Sequence, residues 1–70
     1  MNTTLKELRA RHKMTQDDLA KAVGVRRETI IFLEQGKYMP SLRLAWKIAT
    51  FFKQPIETIF TLEETDLIDS

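Results

Sequence analysis

The sequence predicts an all-α fold, a compact bundle of five short helices, on three observations. Apolar residues recur at steps of three and four in several separate stretches. Hydroxyl or proline residues precede these stretches, and glycines follow two of them. At 70 residues with no cysteine, the chain has room for one small core and nothing to staple it with.

Thr3 or Thr4 caps the first helix, which runs to about residue 12 with Leu5, Leu8 and either Ala10 or the stem of Arg11 facing inward. Lys13 and Met14 lead into the stretch TQDDLAKAVGVRRETIIFLEQGK. There Thr15 and Asp18 make a capping-box pattern for a second helix over about 16–23, with Leu19, Ala20 and Val23 on its inner face. Gly24 ends it. A third helix over about 27–35 must begin almost at once, because Ile30 and Leu33 already form the next inward line. Two short helices joined so tightly cross steeply and leave the second one's outer side open, as a helix-turn-helix requires.

Gly36 stops the third helix and Pro40 blocks an immediate restart. Ser41 caps a fourth helix, SLRLAWKIATFF, with Leu42, Ala45, Ile48, Ala49 and Phe52 as its buried stripe. Pro55 opens a fifth through about residue 60. Residues 61–70 form an acidic tail, read as a frayed end, a helix end or a short strand, and as a candidate part of a dimer interface. The organisation expected is therefore one domain over 1–60 followed by this tail.

With 43% hydrophobic and 30% charged residues the chain should fold as an ordinary globule. It shows neither a membrane-length apolar run of roughly 20 residues nor a signal-peptide core, so the expected location is cytoplasmic. The net charge of +1 hides an asymmetry. Residues 1–53 hold all eleven Lys and Arg against five acids, a net +6, whereas residues 54–70 hold five acids and no base, a net −5. A basic body suits a polyanion, although surface solubilisation accounts for such charge equally well.

The strings LKELRARHKMTQDDLAKAVGV, ETIIFLEQGKYMPSL, LAWKIATFF and IETIF resemble the Cro and phage-repressor type of helix-turn-helix regulator, in its short stand-alone form, over about residues 3–60. The resemblance implies the lambda-repressor-like DNA-binding fold and a homodimer that reads double-stranded operator DNA with helix three in the major groove. It implies that Gln16 meets a phosphate and supports the start of helix three, which fits the anion affinity of a helix N-terminus. It places base and phosphate contacts at Arg26, Arg27, Glu28 and Thr29. Arg27 is the first choice for guanine O6 and N7, which match its planar fork. Arg26 stands where relatives often carry a capping Ser or Thr, a departure that costs the helix start roughly 0.5–2 kcal/mol. Glu28 accepts from cytosine N4 or holds the guanidinium of Arg27. The resemblance also implies an ion pair between Arg9 and Glu34.

Several residues remain outside the common pattern. Ile31 and Phe32 are large and apolar beside inward positions that are already filled. Phe32 either lies on a thymine methyl or folds back on its own chain. Lys37, Tyr38, Ser41 and Arg43 gather around the start of helix four as a phosphate clamp or as solvated loop residues. Trp46, Phe51, Phe60, Leu62, Leu67 and Ile68 exceed what the core can absorb. Phe60 above all should complete the core, and the rest argues for a two-fold interface. His12 has no companion ligand or nucleophile, and the tail acids lack the glycine and spacing of a calcium loop, so no metal, cofactor or catalytic site is expected. The rival function is a protein-interaction module, an antitoxin or adaptor using the exposed aromatics and the tail. An enzyme fits poorly, since no nucleophile–base pair or phosphate loop is visible.

Overall fold

A computed structural model describes residues 1–68, so Asp69 and Ser70 of the expected acidic tail lie outside the described residues. The elements run β1 (Asn2–Thr3), α1 (Leu5–Arg11), α2 (Gln16–Val23), α3 (Arg27–Glu34), α4 (Leu42–Phe52), α5 (Ile56–Ile59), β2 (Phe60–Thr61) and a 3-10 turn at Glu64–Leu67. The helices close on a core built from every one of them, with Leu5, Leu19, Ile30, Leu33 and Ile48 fully buried. Among the described residues no polar or charged residue is buried, and no buried polar side-chain atom lacks a partner.

Local chemistry sets each boundary. In α2 the Thr15 hydroxyl accepts from the Asp18 N–H at 3.0 Å, and the Asp18 carboxylate accepts from the Thr15 N–H at 2.9 Å. This reciprocal pair satisfies two donors that the helix itself leaves open. The helix ends at Gly24, whose φ of +75° is cheap only for glycine, and the Val25 N–H returns to the Ala20 carbonyl. α3 ends in the same way, with the Gly36 N–H on Leu33 and the Lys37 N–H on Phe32. Gly36 has a φ of +70°, and a Cβ there would stand 2.8 Å from the Met1 carbonyl oxygen, so the N-terminal strand packs directly on this turn. The Ser41 hydroxyl caps α4 by accepting from the Leu44 N–H at 3.1 Å.

One detail resolves an open alternative of the sequence expectation, and two differ from it. The first cap belongs to Thr3, whose hydroxyl accepts from the Leu5 N–H; Thr4 occupies the cap position but turns its hydroxyl to the Thr58 carbonyl. Ala10 and Arg11 are exposed, and the residue turned inward beside Leu5 and Leu8 is the half-buried Arg9, one turn from Leu5. In α4, Leu42 is 74% exposed and Leu44 takes the buried place. The stripe is 44, 45, 48, 49, 52, and Leu42 sits on its flank in the first turn, over a groove.

The tail is partly strand and partly 3-10 turn. β2 pairs antiparallel with β1, with Asn2 opposite Thr61 and Thr3 opposite Phe60. Asn2 donates to the Glu63 carboxylate at 3.0 Å, and Asp66 lies 2.9 Å from the Met1 amino group. Phe60 is 7% exposed and belongs mainly to its own chain's core, as expected, with its remaining surface on the groove beside Leu62.

Candidate nucleic-acid interface

The N-terminus of α3 presents two adjacent arginines outward at a helix start. Arg26 occupies the cap position in extended conformation, and its side chain makes no capping hydrogen bond. Arg26, Arg27 and Glu28 are exposed, Thr29 is half-buried, and among the described residues none of the three charged side chains forms an ion pair. Glu28 therefore does not hold the Arg27 guanidinium. α3 is fixed from behind, with Ile30 and Leu33 inaccessible in the core, so its exposed side is presented on a rigid base.

That base is locked at the far end of α3 by Glu34. Its carboxylate accepts from Arg9 Nε and, at 3.0 Å, from Arg9 Nη2, the two-pronged geometry that suits a guanidinium. Gln16 Nε2 donates to the same carboxylate at 3.1 Å, and Arg9 Nη1 reaches the Met14 carbonyl at 3.0 Å. One half-buried acid thus joins α1, α2, α3 and the loop between the first two. Gln16 stands at the first position of α2 with one amide hydrogen committed to Glu34, which leaves the second free to meet an anion beside the open N–H groups of that helix.

A shallow cavity of about 230 Å³ lies between the end of α2, the start of α3 and the start of α4. Thr29, Tyr38, Ser41 and Arg43 line it over a floor of Val23, Val25 and Leu44. Ser41 uses its oxygen as a cap acceptor, so its hydroxyl hydrogen remains available as a donor. Lys47 also lines this cavity and was not singled out from the sequence. The signal was present: Lys47 follows Arg43 by four residues and so shares its helix face. Lys37 is exposed on the turn just after α3, outside the cavity. The cavity combines two cations, Arg43 and Lys47, with three hydroxyl side chains, a set of groups that binds phosphate oxygens.

The surplus apolar residues fall into different places. Met39 (47% exposed), Leu42 and Leu62 (45%) border a groove of about 530 Å³ floored by Pro40, Ala45, Ile56 and Phe60. Trp46, 65% exposed, stands one turn beyond Leu42 on the same face, over a neighbouring cavity that shares Ile56 and Glu57 with the groove. Phe51 borders a further cavity that Trp46, Lys21 and Gly24 also line, with its ring edge-on to Phe52 at 5.1 Å. Leu67 and Ile68 are exposed at the end of the described chain. Met39 was missed because a lone methionine between a tyrosine and a proline carries no periodicity.

His12 caps the end of α1. Its Nδ1 lies 2.9 Å from the Leu8 carbonyl, which requires a proton on that nitrogen, and its ring packs edge-on against Phe52 at 5.0 Å. Both contacts are architectural. No helix among the described residues is long and apolar enough to cross a membrane.

A family model described as helix-turn-helix matches residues 5–59. The chain is 61% identical over 67 residues to an uncharacterised helix-turn-helix-type transcriptional regulator of Archaeoglobus fulgidus, covering 96% of this chain and 94% of that one. It is 56% identical over 66 residues to another of Methanocaldococcus jannaschii, covering 94% and 100%. A more distant relative, 27% identical over 66 residues, is the cryptic phage CTXphi transcriptional repressor RstR of Vibrio cholerae, with 94% of this chain and 60% of that one covered.

Proposed function

This chain belongs to the helix-turn-helix family of transcriptional regulators, and we propose that it acts as a repressor, binding a pseudo-palindromic operator as a homodimer with α3 of each subunit in the major groove. The observation that carries the reading is the unpaired state of Arg26 and Arg27 at the exposed start of a helix whose other face is buried. Guanidiniums so placed can meet an anion or a base edge without breaking an internal ion pair.

In this reading Arg27 reads guanine, Arg26 and Lys37 meet phosphates, and Thr29, Tyr38, Ser41, Arg43 and Lys47 hold one backbone segment across the cavity. Gln16 contacts a phosphate at the start of α2. The two-fold interface forms on the Met39–Leu42–Leu62 groove, with Trp46 at its edge as the large anchor, because contiguous apolar surface of this kind is what monomers avoid exposing. Two such subunits would set their α3 helices about 34–36 Å apart, one turn of the duplex. Repression would follow from occupying DNA that polymerase needs; the phage relative RstR is itself a transcriptional repressor.

The test separates reading from holding. On duplexes selected from a random pool, Arg27→Ala is expected to lose about 1–3 kcal/mol at one base position and relax preference there. Lys37→Ala is expected to weaken all sequences alike. An Arg27→Ala variant with unchanged base preference would overturn the assignment of that residue.

A further inference from the structure

We propose that Phe32 reads the C5-methyl group of a pyrimidine in the major groove, and so makes a methyl rather than a hydrogen bond the second specificity element of this chain after Arg27. The inference rests on the DNA-binding reading above and deepens it.

Phe32 has no structural work that demands a phenyl ring. Ile30 and Leu33 fill the inward line of α3 with no exposure at all, while Phe32 is 49% exposed. The aromatic contacts among the described residues join His12 to Phe52 and Phe51 to Phe52, so the Phe32 ring stacks on no other ring. Its backbone carbonyl does receive the Lys37 N–H, but any residue supplies a carbonyl. Its helix-surface neighbours, Glu28 four residues before and Gln35 three after, are exposed and polar. The outer face of α3 thus carries an isolated apolar disc among charged and amide groups, one turn behind the basic helix start.

Base edges in the major groove offer donors, acceptors and one apolar feature, the thymine methyl. A phenyl ring can satisfy none of the polar groups and would leave them desolvated without a partner. It gains only where a methyl lies beneath it. The ring therefore selects a C5-methylated pyrimidine and penalises the exposed O6 and N7 of guanine. Glu28 strengthens the selection, because its unpaired carboxylate, one turn earlier on the same face, repels those same acceptors on the adjoining pair.

The experiment uses the full chain and the duplex recovered from a random pool, resynthesised with uracil replacing thymine at one position at a time. Uracil differs only in lacking the methyl. At one position per half-site the wild-type chain is expected to bind the uracil duplex about fourfold more weakly, the worth of one buried methyl. Replacing that pair with 5-methylcytosine paired to guanine should bind more tightly than plain cytosine by a similar factor, which separates the methyl from the rest of thymine. Phe32→Ala should bind thymine and uracil duplexes alike, and Phe32→Leu should keep part of the difference. Equal wild-type binding to thymine and uracil at every position, or an unchanged ratio in Phe32→Ala, would overturn the inference and leave the DNA reading standing. Failure to bind any duplex would end both.

Discussion

The carboxylate of Glu34 accepts from two nitrogens of Arg9 and one of Gln16, and it is this residue that holds α3 at a fixed height over α1 and α2. Its side chain is 7% exposed and that of Arg9 13%. Removing one partner of such a pair leaves a largely shielded charge short of its main hydrogen-bond partners. Arg9→Ala is therefore expected to cost about 3–5 kcal/mol in urea unfolding, whereas a loss below about 1 kcal/mol would show that the pair is solvated in practice. The pairing spans 25 residues, and periodicity carries no information at that separation. It was legible only through family resemblance, and the share taken by Gln16 was not legible at all. The inward placement of Arg9 was missed for a related reason: a pattern of apolar residues cannot announce that a charged one will be drawn inside by its partner.

At the scale of single elements, the helix boundaries were readable because their causes lie within four residues. Thr15 with Asp18, Gly24, Gly36 and Ser41 each act on neighbouring backbone groups, and α2 and α4 fall where these signals put them. β1 and β2 were not readable. Two-residue strands have no periodicity, and Asn2 and Thr61, which pair, lie at opposite ends of the chain. Leu42 shows the same limit in reverse: its spacing fits the stripe of α4, but no other element arrives to cover that flank.

The α2 cap makes a prediction about pH. The Thr15 backbone N–H, and after it the Thr15 hydroxyl, hold the Asp18 carboxyl below the ordinary carboxylate range. A lowered pKa in the folded state means that the ionised carboxylate adds stability above its unfolded-state value. That contribution is lost as pH falls through the folded value. Thr15→Ala should cost roughly 0.5–2 kcal/mol near neutrality, and Asp18→Asn, which removes the titrating group, should shrink the loss of stability on acidification. Wild type and Asp18→Asn losing stability in parallel between neutral and strongly acidic pH would contradict this role. α3 offers the counterpart, since its start carries Arg26 in place of a side-chain cap and so keeps a cation where a hydroxyl would have served the fold better.

Across the whole molecule, charge is sorted along the fold. The acidic tail is tied to the N-terminal strand through Asn2 and Glu63, and that strand abuts the C-terminal end of α3 at Gly36. The basic start of α3 lies eight residues away, roughly 12 Å along the helix. The acids are thereby held off the surface where Arg26, Arg27 and Arg43 collect. This separation was foreshadowed by the +6 and −5 halves of the sequence, although only the folded chain shows which end of which helix each half adjoins. The proposed two-fold groove, flanked by Leu42 and Trp46, shares no lining residue with the cavity bordered by Ser41, Arg43 and Lys47.

Equilibrium binding to mixed duplex DNA as a function of salt tests this arrangement most directly. Each neutralised phosphate contributes a slope of roughly −0.9 in log K against log salt, so a dimer engaging the four backbone cations Arg26, Lys37, Arg43 and Lys47 of each subunit should show a slope of roughly −7. A Leu42→Asp chain, unable to pair across the groove, should show about half of it. Weak binding that barely changes with salt would mean that the exposed arginines of α3 do not meet a phosphate backbone, and the assignment of this surface to DNA would fall.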